Sequence, residues 1–480
     1  MTIAIWWIRR DLRLTDNQAL AAALSNGSRV VPVFVLDTSL LASPAVGSRR
    51  LAFLLSGLRQ LDADLRRRGS RLVVRRGAPE QELAALRTEV GADAIYAEED
   101  YTPYARRRDG RVAERVTLRL VGGATALSPR ATVKDNGEPY TVFTPFSRAW
   151  KAVWETRAET PLPAPSSIPT PEGVASVSLP ADAAPAPDTP FPPGEAEALR
   201  RLDAFINGPE ASVHHYIEKR DRLDLHGASA ISPYLRFGMV SARQAVVASQ
   251  RAVASAPDPE ARRGAEAWLT EIVRREFFAA VLYHFPRVSH ESFREDLREI
   301  RWRNNPDEFT AWCAGLTGYP VVDAAMRQLK QTGWMHNRAR MIAASFLVKD
   351  LLIDWTWGER WFLQQLVDGD PASNNGGWQR TAGTGTDAAP YFCVFNPARQ
   401  GAKFDPRGEY IRLWAPELAQ MTETYIHEPW RMPLKTQRRA GCVIGRNYPA
   451  PIVNHAMARK RALAAYGEAR AAAMGRPAKT

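Results

Sequence analysis

The chain has 480 residues, of which 45% are hydrophobic and 24% are charged, and its formal net charge is +12. This length is enough for two or three packed domains of roughly 100 to 200 residues each. The positive charge favours a polyanionic partner, although it fits an ordinary basic soluble protein equally well. No apolar stretch reaches the ~20 residues that a membrane-spanning helix needs, which excludes that class.

The N-terminus carries an apolar run at 3–8 that stops at Arg9 and Arg10. A secretory signal has the reverse order, with its positive charge first, so a cytoplasmic protein is predicted. The three cysteines are too widely spaced to indicate a disulfide framework or a zinc site. The eight histidines form no HxxxH or HExxH pair, and no metal site is predicted.

Short β-branched runs alternate with helical patterns in the first part of the chain. The runs are TIAIWWI, RVVPVFVL, RLVVRR and ADAIYAEED, at residues 2–8, 29–36, 71–76 and 92–100. This alternation predicts a doubly wound parallel-sheet α/β domain at 1–130. No glycine-rich turn follows the first run, which argues against a dinucleotide-binding fingerprint.

A proline-rich segment follows this domain. Eleven prolines occur between Pro161 and Pro193, among alanine, serine and threonine. Such a composition cannot build a core, so residues 131–195 are predicted to form a connecting segment and an extended linker. Helical patterns dominate afterwards, which predicts an all-α domain at 196–480.

The densest polar and aromatic patterns lie between Thr317 and Pro397. They read TGYPVVDAAMRQL, GWMHNRARM, SFLVKDLLIDW, DGDPASNNGGWQR and TGTDAAPYFCVFNP. So many carboxylates, amides and guanidinium groups in a core region are costly unless they hold a polar ligand. Together with IAIWWIRRDLRLTDNQAL, YTVFTPFSRAW, GASAISPYLRFGMVS and EAWLTEIVRREFF, these segments resemble the DNA photolyase/cryptochrome family, most closely its bacterial cyclobutane pyrimidine dimer photolyases.

The resemblance implies that the helical domain binds FAD, in a reduced, anionic form when active. Taken alone, DGDPASNNGG fits a capped loop between helices better than a ligand site, and the resemblance reverses that preference. Ser232 followed by Pro233 also fits a helix N-cap in its own right. The implied FAD-binding residues are Tyr216, Ala228, Ser229, Ala230, Ile231, Ser232, Trp268, Arg275, Asn337, Arg340, Asp368, Gly369, Asp370 and Asn374. Ala228 replaces the usual threonine, which removes one hydroxyl, and Arg340 is expected to pair with Asp368 beside the flavin.

Three tryptophans match the family's electron relay to the flavin: Trp302, Trp355 and Trp378. Composition alone would make them ordinary core residues, because the chain has fourteen tryptophans. Glu271 matches the glutamate that hydrogen-bonds the damaged bases and stabilises charge on them. Glu271, Asn337 and the three relay tryptophans are therefore the predicted catalytic residues.

The residues implied to contact DNA or the lesion are Arg220, Glu271, Arg274, Arg338, Met341 and Arg380. Arg274 and Arg380 stand where dimer photolyases usually have tryptophans that sandwich the flipped lesion. Guanidinium planes can also stack on bases. These two departures leave two alternatives open: a cryptochrome-like blue-light sensor, or a photolyase for another lesion.

The predicted function is thus light-driven repair of cyclobutane pyrimidine dimers, a carbon–carbon lyase reaction on damaged DNA with an extruded dimer. Relatives often hold an antenna chromophore, a folate or a deazaflavin, in the N-terminal domain. EEDYTPYARRRDGRV at 98–112 resembles that region but does not identify a pigment. A monomer is expected.

Overall fold

The computed structural model describes residues 2–157, 160–180, 190–208, 212–387, 390 and 393–474. The chain forms two compact units. The first unit comprises Met1–Ile217, Ala228–Pro286 and Val367–Ala372, and the second comprises Glu218–Gly227, Arg287–Leu366 and Ser373–Thr480. Each unit consists of three separate stretches of the chain, whereas the predicted domains were continuous. The boundaries after 130 and 195 stay a prediction.

The first unit is built on a five-stranded sheet in which every neighbouring pair is parallel. The strands are β1 (Ile3–Ile8), β2 (Arg29–Asp37), β3 (Val73–Gly77), β4 (Ala94–Glu99) and β5 (Leu118–Gly123), in the order β3-β2-β1-β4-β5. The doubly wound parallel sheet predicted from the alternating pattern is therefore confirmed. The sequence analysis missed β5, because this edge strand is half-exposed and carries no continuous apolar run.

Hydrophobic burial explains why β1 lies at the centre. Its five residues from Ala4 to Ile8 are all buried. A parallel sheet covered on both faces needs such continuous apolar strands. Arg9 and Arg10 follow β1 directly, so both guanidinium groups start at the carboxyl edge of the sheet, where ligands bind in folds of this kind.

Helices cover the sheet and complete the first unit. They are Gln18–Asn26, Thr38–Leu41, Ser48–Arg66, Pro79–Val90, Pro103–Ala113, Phe143–Glu155, Glu195–Asn207, Ser232–Phe237, Ala242–Ala254 and Pro259–His284. The last is the longest, and Asp258 caps it by accepting hydrogen bonds from the backbone of Glu260 and Ala261. On this helix Glu271 lies one turn before the adjacent residues Arg274 and Arg275.

The second unit is helical in its described residues, which confirms the predicted all-α part. Its helices are Pro306–Ala314, Pro320–Thr332, Asn337–Ser345, Trp355–Gln365, Pro397–Phe404, Glu409–Trp414, Leu434–Arg439 and His455–Met474, with a π-helical turn at Phe346–Asp350. Two further helices, Tyr216–Lys219 and Pro371–Ala382, cross a unit boundary. Among the described residues, no helix is both long enough and apolar enough to cross a membrane.

The proline-rich segment contains no helix or strand in its described residues, 160–180 and 190–193. The part of the predicted linker at 181–189 lies outside the described residues. Val177 N–H donates to the Val74 carbonyl at 2.9 Å, and the Val74 N–H donates to the Ser176 hydroxyl, also at 2.9 Å. Ile168 is completely buried. The segment therefore packs along β3 within the first unit.

Candidate active site

Asp368 contacts the first residue of the helix Ser232–Phe237. The Ser232 hydroxyl donates to Asp368 Oδ2 at 2.6 Å. Ser232 is the first residue of its helix, and Ile231 occupies the cap position without a side-chain hydrogen bond. The predicted N-cap role of Ser232 is therefore wrong, because its hydroxyl binds the carboxylate and not the backbone of the helix.

Gly369 and Asp370 are bound by two arginines from distant parts of the sequence. Arg236 Nε donates to the Gly369 carbonyl at 2.8 Å. Arg10 Nη2 lies 2.7 Å from Asp370 Oδ2, and its Nη1 lies 3.5 Å from Asp100. Burial opposes the charge of Arg10, but Asp100 and Asp370 outweigh it and raise its pKa. The segment 368–370 is thus fixed by one ion pair and two hydrogen bonds within the first unit.

A third arginine contributes to the electrostatics of this segment. Burial lowers the pKa of Arg50 to about 10, although Asp368 and Asp370 act in the opposite direction. Burial, together with the charge of Arg10, lowers the pKa of Arg236 to about 9. The carboxylates of Asp100, Asp368 and Asp370 counterbalance the charges of these arginines. Sequence reasoning assigned none of these arginines to the site, although Arg10 follows a buried strand directly, which was a usable signal.

A small, partly open cleft lies beside Asp370. Its lining residues are Arg10, Asp100, Tyr101, Thr102, Ala124, Thr125, Arg275, Ala279, Leu282, Asp370 and Ala372. Arg275 Nη2 donates to the Ala124 carbonyl at 3.0 Å, and its Nη1 lies 3.3 Å from the carboxylate of the neighbouring Glu276. Two predicted FAD-binding residues, Arg275 and Asp370, therefore share one cleft.

The aromatic rings of Tyr216 and Trp268 both pack against the ring of Phe205. Phe205 lies 6.0 Å from Tyr216 and 5.2 Å from Trp268, measured between ring centroids. Ala230, in the predicted phosphate-holding loop, has φ +49°. A left-handed alanine costs on the order of 1 kcal/mol, so the surrounding structure dictates this loop conformation.

Glu271 and Arg274 lie one turn apart on the helix Pro259–His284. Their charged groups are 3.8 Å apart, and both side chains remain partly exposed. The Arg274 guanidinium also lies 3.8 Å from the centre of the Phe143 ring. Arg274 is therefore oriented by an aromatic ring on one side and a carboxylate on the other, within the first unit.

The second unit groups four predicted residues on the helix Asn337–Ser345. Arg338 Nη2 lies 2.7 Å from Asp221, beside Arg220, and its guanidinium lies 4.4 Å from the Phe404 ring. The other three members are Asn337, which is exposed, and the half-buried Arg340 and Met341. Arg340 Nε donates to the Met335 carbonyl at 2.8 Å. Its pairing with Asp368 stays a prediction.

Asn374 lies in the helix Pro371–Ala382, so the asparagines of DGDPASNNGG are helical and do not belong to a loop. The Asn374 amide donates to the Glu359 carbonyl at 2.9 Å, and the Asn375 amide donates to the Glu359 carboxylate at 3.0 Å. Burial raises the pKa of Glu359 to about 7. Glu359 was not predicted from sequence, because an isolated glutamate in an aromatic helix carries no motif. Arg380, on the last turn of the asparagine helix, is half-buried.

The three predicted relay tryptophans belong to one hydrophobic core of the second unit. Trp355 and Trp378 are buried, and Trp302 packs against the same core from a partly exposed position. The Trp378 ring lies 4.9 Å from the Phe362 ring. A Cβ atom at Gly358 would lie 2.1 Å from the Trp378 ring. Because glycine has no side chain, the Trp378 ring can pack directly against the helix Trp355–Gln365.

Two family models match the chain. The model described as "DNA photolyase" matches residues 4–166, and the model described as "FAD binding domain of DNA photolyase" matches residues 268–468. A deoxyribodipyrimidine photo-lyase from Agrobacterium fabrum is 40% identical, with 96% of this chain and 97% of the relative covered. A second, from Streptomyces griseus, is 42% identical over 96% of this chain and 98% of the relative.

The chain belongs to the DNA photolyase family. The structure of a class III photolyase from Agrobacterium tumefaciens is similar, with a TM-score of 0.90, 38% identity and 98% of both chains covered. A cryptochrome from Synechocystis has a TM-score of 0.88 and is 28% identical, over 97% of this chain and 99% of the cryptochrome. Repair enzymes and a cryptochrome thus share the photolyase fold described above.

The donor set of this photolyase-family chain fits FAD. In the first unit, the Ser232 hydroxyl can accept a hydrogen bond, and the Asp368 and Asp370 carboxylates are acceptors suited to the hydroxyl groups of a polyol or the imide of a ring system. The guanidinium groups of Arg10 and Arg236 hold this segment in place through Asp370 and the Gly369 carbonyl. The match to the FAD-binding family model agrees with the cofactor implied by the sequence.

Proposed function

We propose that the chain repairs cyclobutane pyrimidine dimers in DNA in a light-driven reaction, as a deoxyribodipyrimidine photo-lyase. The proposal is carried by the match of about 40% identity, over nearly the whole of both chains, to proteins of that name. Reduced FAD, when bound, supplies an electron under light, which returns after the cyclobutane ring has opened. The protein's own part is to bind the extruded dimer, orient it and stabilise the charge that forms on it.

Glu271 is the residue that we assign to this stabilisation. Its carboxyl group is partly exposed, and the Arg274 guanidinium lies 3.8 Å away. Glu271 would hydrogen-bond the damaged bases, and the nearby Arg274 cation would favour the negative charge that forms on them. Arg274 would also present its plane toward a base while Phe143 supports its other face.

Asn337, Arg338 and Met341 are the lesion-facing residues proposed from the second unit. Asp221 and the Phe404 ring hold the Arg338 guanidinium in place, which lowers the entropy cost of presenting it to a nucleotide. Arg220, next to Asp221, is proposed to bind a phosphate of the DNA backbone, and Arg380 to contact the damaged bases. DNA is thus the proposed macromolecular partner.

The relay through Trp302, Trp355 and Trp378 would restore the flavin to its reduced state. That all three indole rings pack in or against one hydrophobic core supports this assignment. Asn374 and Arg340 would contact the flavin ring, with Glu359 holding the two asparagines behind it. We further propose a monomer in the cytoplasm; the identity of an antenna chromophore stays open between folate and deazaflavin.

The decisive experiment measures light-dependent loss of a thymine dimer from an oligonucleotide, with the FAD-loaded, photoreduced protein. Glu271→Ala is expected to lower the repair yield per photon roughly tenfold to a hundredfold, since a hydrogen bond to a charged group is worth about 1.5–3 kcal/mol. The matched control is Glu266→Ala on the same helix, whose exposed pair with Arg262 contributes little.

The main alternative, a light sensor without repair activity, is supported by the similar Synechocystis cryptochrome and by the two arginines at lesion positions. The same experiment separates the two functions. A protein that binds FAD and is photoreduced, yet leaves thymine dimers intact, would be a sensor or would act on another lesion. Parallel assays on (6-4) photoproducts and on single-stranded substrates distinguish those outcomes.

A further inference from the structure

A histidine outside the assigned site residues caps the helix that carries the lesion-facing residues of the second unit. His336 is 6% exposed and occupies the N-cap position of the helix Asn337–Ser345. Its ring Nδ1 accepts a hydrogen bond from the Arg338 backbone N–H at 3.1 Å. Serine, threonine, aspartate and asparagine are the usual caps, so a buried histidine at this position indicates a second role of the ring.

The hydrogen bond to Nδ1 fixes the tautomer of His336. A backbone N–H only donates, so Nδ1 carries the lone pair and the single proton of the neutral ring is on Nε2. No hydrogen bond of ordinary length reaches Nε2 in the part of the chain that the structure describes. The Arg220 backbone is nevertheless close enough to favour protonation of the ring, which is the effect of a carbonyl oxygen. The ring therefore lies between its own helix and the segment that carries Arg220.

The Arg338 side chain connects the same helix to the same segment. Its Nη2 lies 2.7 Å from Asp221 Oδ2, and its Nε lies 3.2 Å from Asp221 Oδ1, which makes the pair bidentate. His336 thus holds the backbone of Arg338, and Asp221 holds its guanidinium group. Because Asp221 directly follows Arg220, the helix and the segment 218–227 are joined at two points, and the relative position of Arg338 and Arg220 is fixed.

We propose that His336, as a neutral ring with its proton on Nε2, is the positioning residue for the lesion-binding side of the second unit. It fixes the start of the helix that presents Asn337 and Arg338 to the dimer. It also sets the distance between that helix and Arg220, which is proposed to bind a phosphate. A serine or an asparagine would cap the helix but has no atom at the position of Nε2. The inference rests on the proposed function, which assigns these residues to damaged DNA.

The charges around His336 keep its ring neutral. Burial lowers the pKa of His336 to about 4, and the guanidinium groups of Arg340 and Arg338 act in the same direction. Asp221 and the Arg220 backbone oppose this shift. A protonated ring would carry a hydrogen on Nδ1 and would lose the hydrogen bond from the Arg338 N–H. At neutral pH the ring therefore keeps its acceptor at Nδ1 and its donor at Nε2.

The test compares His336→Asn with His336→Ala in the FAD-loaded protein, by titration in the dark with a duplex that contains a thymine dimer. The asparagine oxygen replaces Nδ1 as the cap, whereas nothing replaces Nε2. His336→Asn is therefore expected to keep the wild-type unfolding midpoint and to weaken binding of the damaged duplex roughly threefold to tenfold. His336→Ala is expected to lower the midpoint by roughly 2–4 °C as well. His290→Asn, the same change at an exposed histidine, is expected to match the wild type in both measurements.

A double-mutant cycle shows whether His336 acts through Arg220. In an Arg220→Ala background, His336→Asn is expected to weaken binding less than twofold, because the side chain that the ring positions is gone. Full additivity of the two changes, or wild-type affinity of His336→Asn, would show that the ring only caps the helix, and the inference would be wrong.

Nitrogen-15 NMR of the histidine-labelled protein reads the tautomer directly, and the His336→Asn protein identifies the signal. At pH 6, where an ordinary histidine is mostly protonated, a neutral ring with its proton on Nε2 is expected. A charged ring, or a proton on Nδ1 alone, would overturn the inference even if a variant does not fold. A wild type that neither binds nor repairs the dimer would remove the proposed function and this inference together. A wild type that repairs the dimer, with unaltered affinity in His336→Asn, would remove this inference alone.

Discussion

The Ser232 hydroxyl donates a 2.6 Å hydrogen bond to Asp368, across 136 residues of sequence. This contact joins the loop predicted to hold the FAD phosphates to the segment predicted to contact the flavin. Asp368 is 7% exposed, so the bond is formed in a region with little competing water. Loss of the hydroxyl therefore alters the geometry of both segments at once.

Ser232→Ala is expected to weaken FAD binding by about tenfold or more, because a hydrogen bond to a charged group is worth about 1.5–3 kcal/mol. Fluorescence titration of the apoprotein with FAD measures this change. Ser255→Ala, at the exposed end of the helix Ala242–Ala254, serves as the control and should bind FAD as the wild type does. Equal affinities of the two variants would contradict a role for the Ser232–Asp368 contact.

Gly358→Ala is expected to destabilise the second unit. The added methyl group would lie 2.1 Å from the Trp378 ring and 2.6 Å from Leu347, and overpacking of this kind typically costs about 1–3 kcal/mol. Thermal unfolding should show a lower midpoint, and photoreduction should slow as the Trp378 ring is displaced. Gly110→Ala, in a helix position with open space, should be neutral or stabilising by up to ~1 kcal/mol.

The pKa of Glu359 predicts a pH dependence of stability. Because burial raises this pKa to about 7 in the folded protein, above the ordinary value of 4.5, the folded state binds a proton more tightly than the unfolded state. The contribution of Glu359 to stability is therefore full below about pH 4.5, falls as the pH rises to about 7 and is level above that. Glu359→Gln should remove this part of the slope.

The free energy of unfolding in urea, determined at several values between about pH 4.5 and about pH 7, measures this pH dependence of stability. Wild type and Glu359→Gln are compared as apoproteins. The glutamine oxygen can still accept from the Asn375 amide, so the substitution removes the titration and keeps the hydrogen bond. Parallel stability profiles for the two proteins would show that another buried carboxyl dominates.

We expect substitution of Arg399 and Lys403 to change the salt dependence of DNA binding. Both are exposed, one turn apart on the helix Pro397–Phe404. If both bind phosphates, the double alanine variant should lower the slope of log K against log salt concentration by about 2, since each phosphate contact contributes about 0.9. Binding to intact and damaged duplex should weaken equally. An unchanged slope would place these cations on a solvated face away from DNA.

The strands and the irregular proline-rich segment were predictable because each depends on residues that are close together in the sequence. The β-branched runs at 2–8 and 29–36 predicted β1 and β2, and the prolines predicted a segment without regular structure. By contrast, the pairing of Arg10 with Asp370 joins residues 360 positions apart, which no local pattern contains. The contact between Lys349 and Tyr466 could not be predicted from the sequence either, since a lysine in a helical sequence is ordinarily a surface residue.

The hydrogen bonds between the proline-rich segment and β3 have a further consequence. As the outermost strand of the sheet, β3 would otherwise offer unpaired amide and carbonyl groups to strands of other molecules. The segment occupies the amide and carbonyl groups of Val74 in β3, and its prolines cannot extend the ladder to another chain. Its composition thus protects the protein against edge-to-edge aggregation, and proteolytic removal of this covering would favour self-association without touching the catalytic residues.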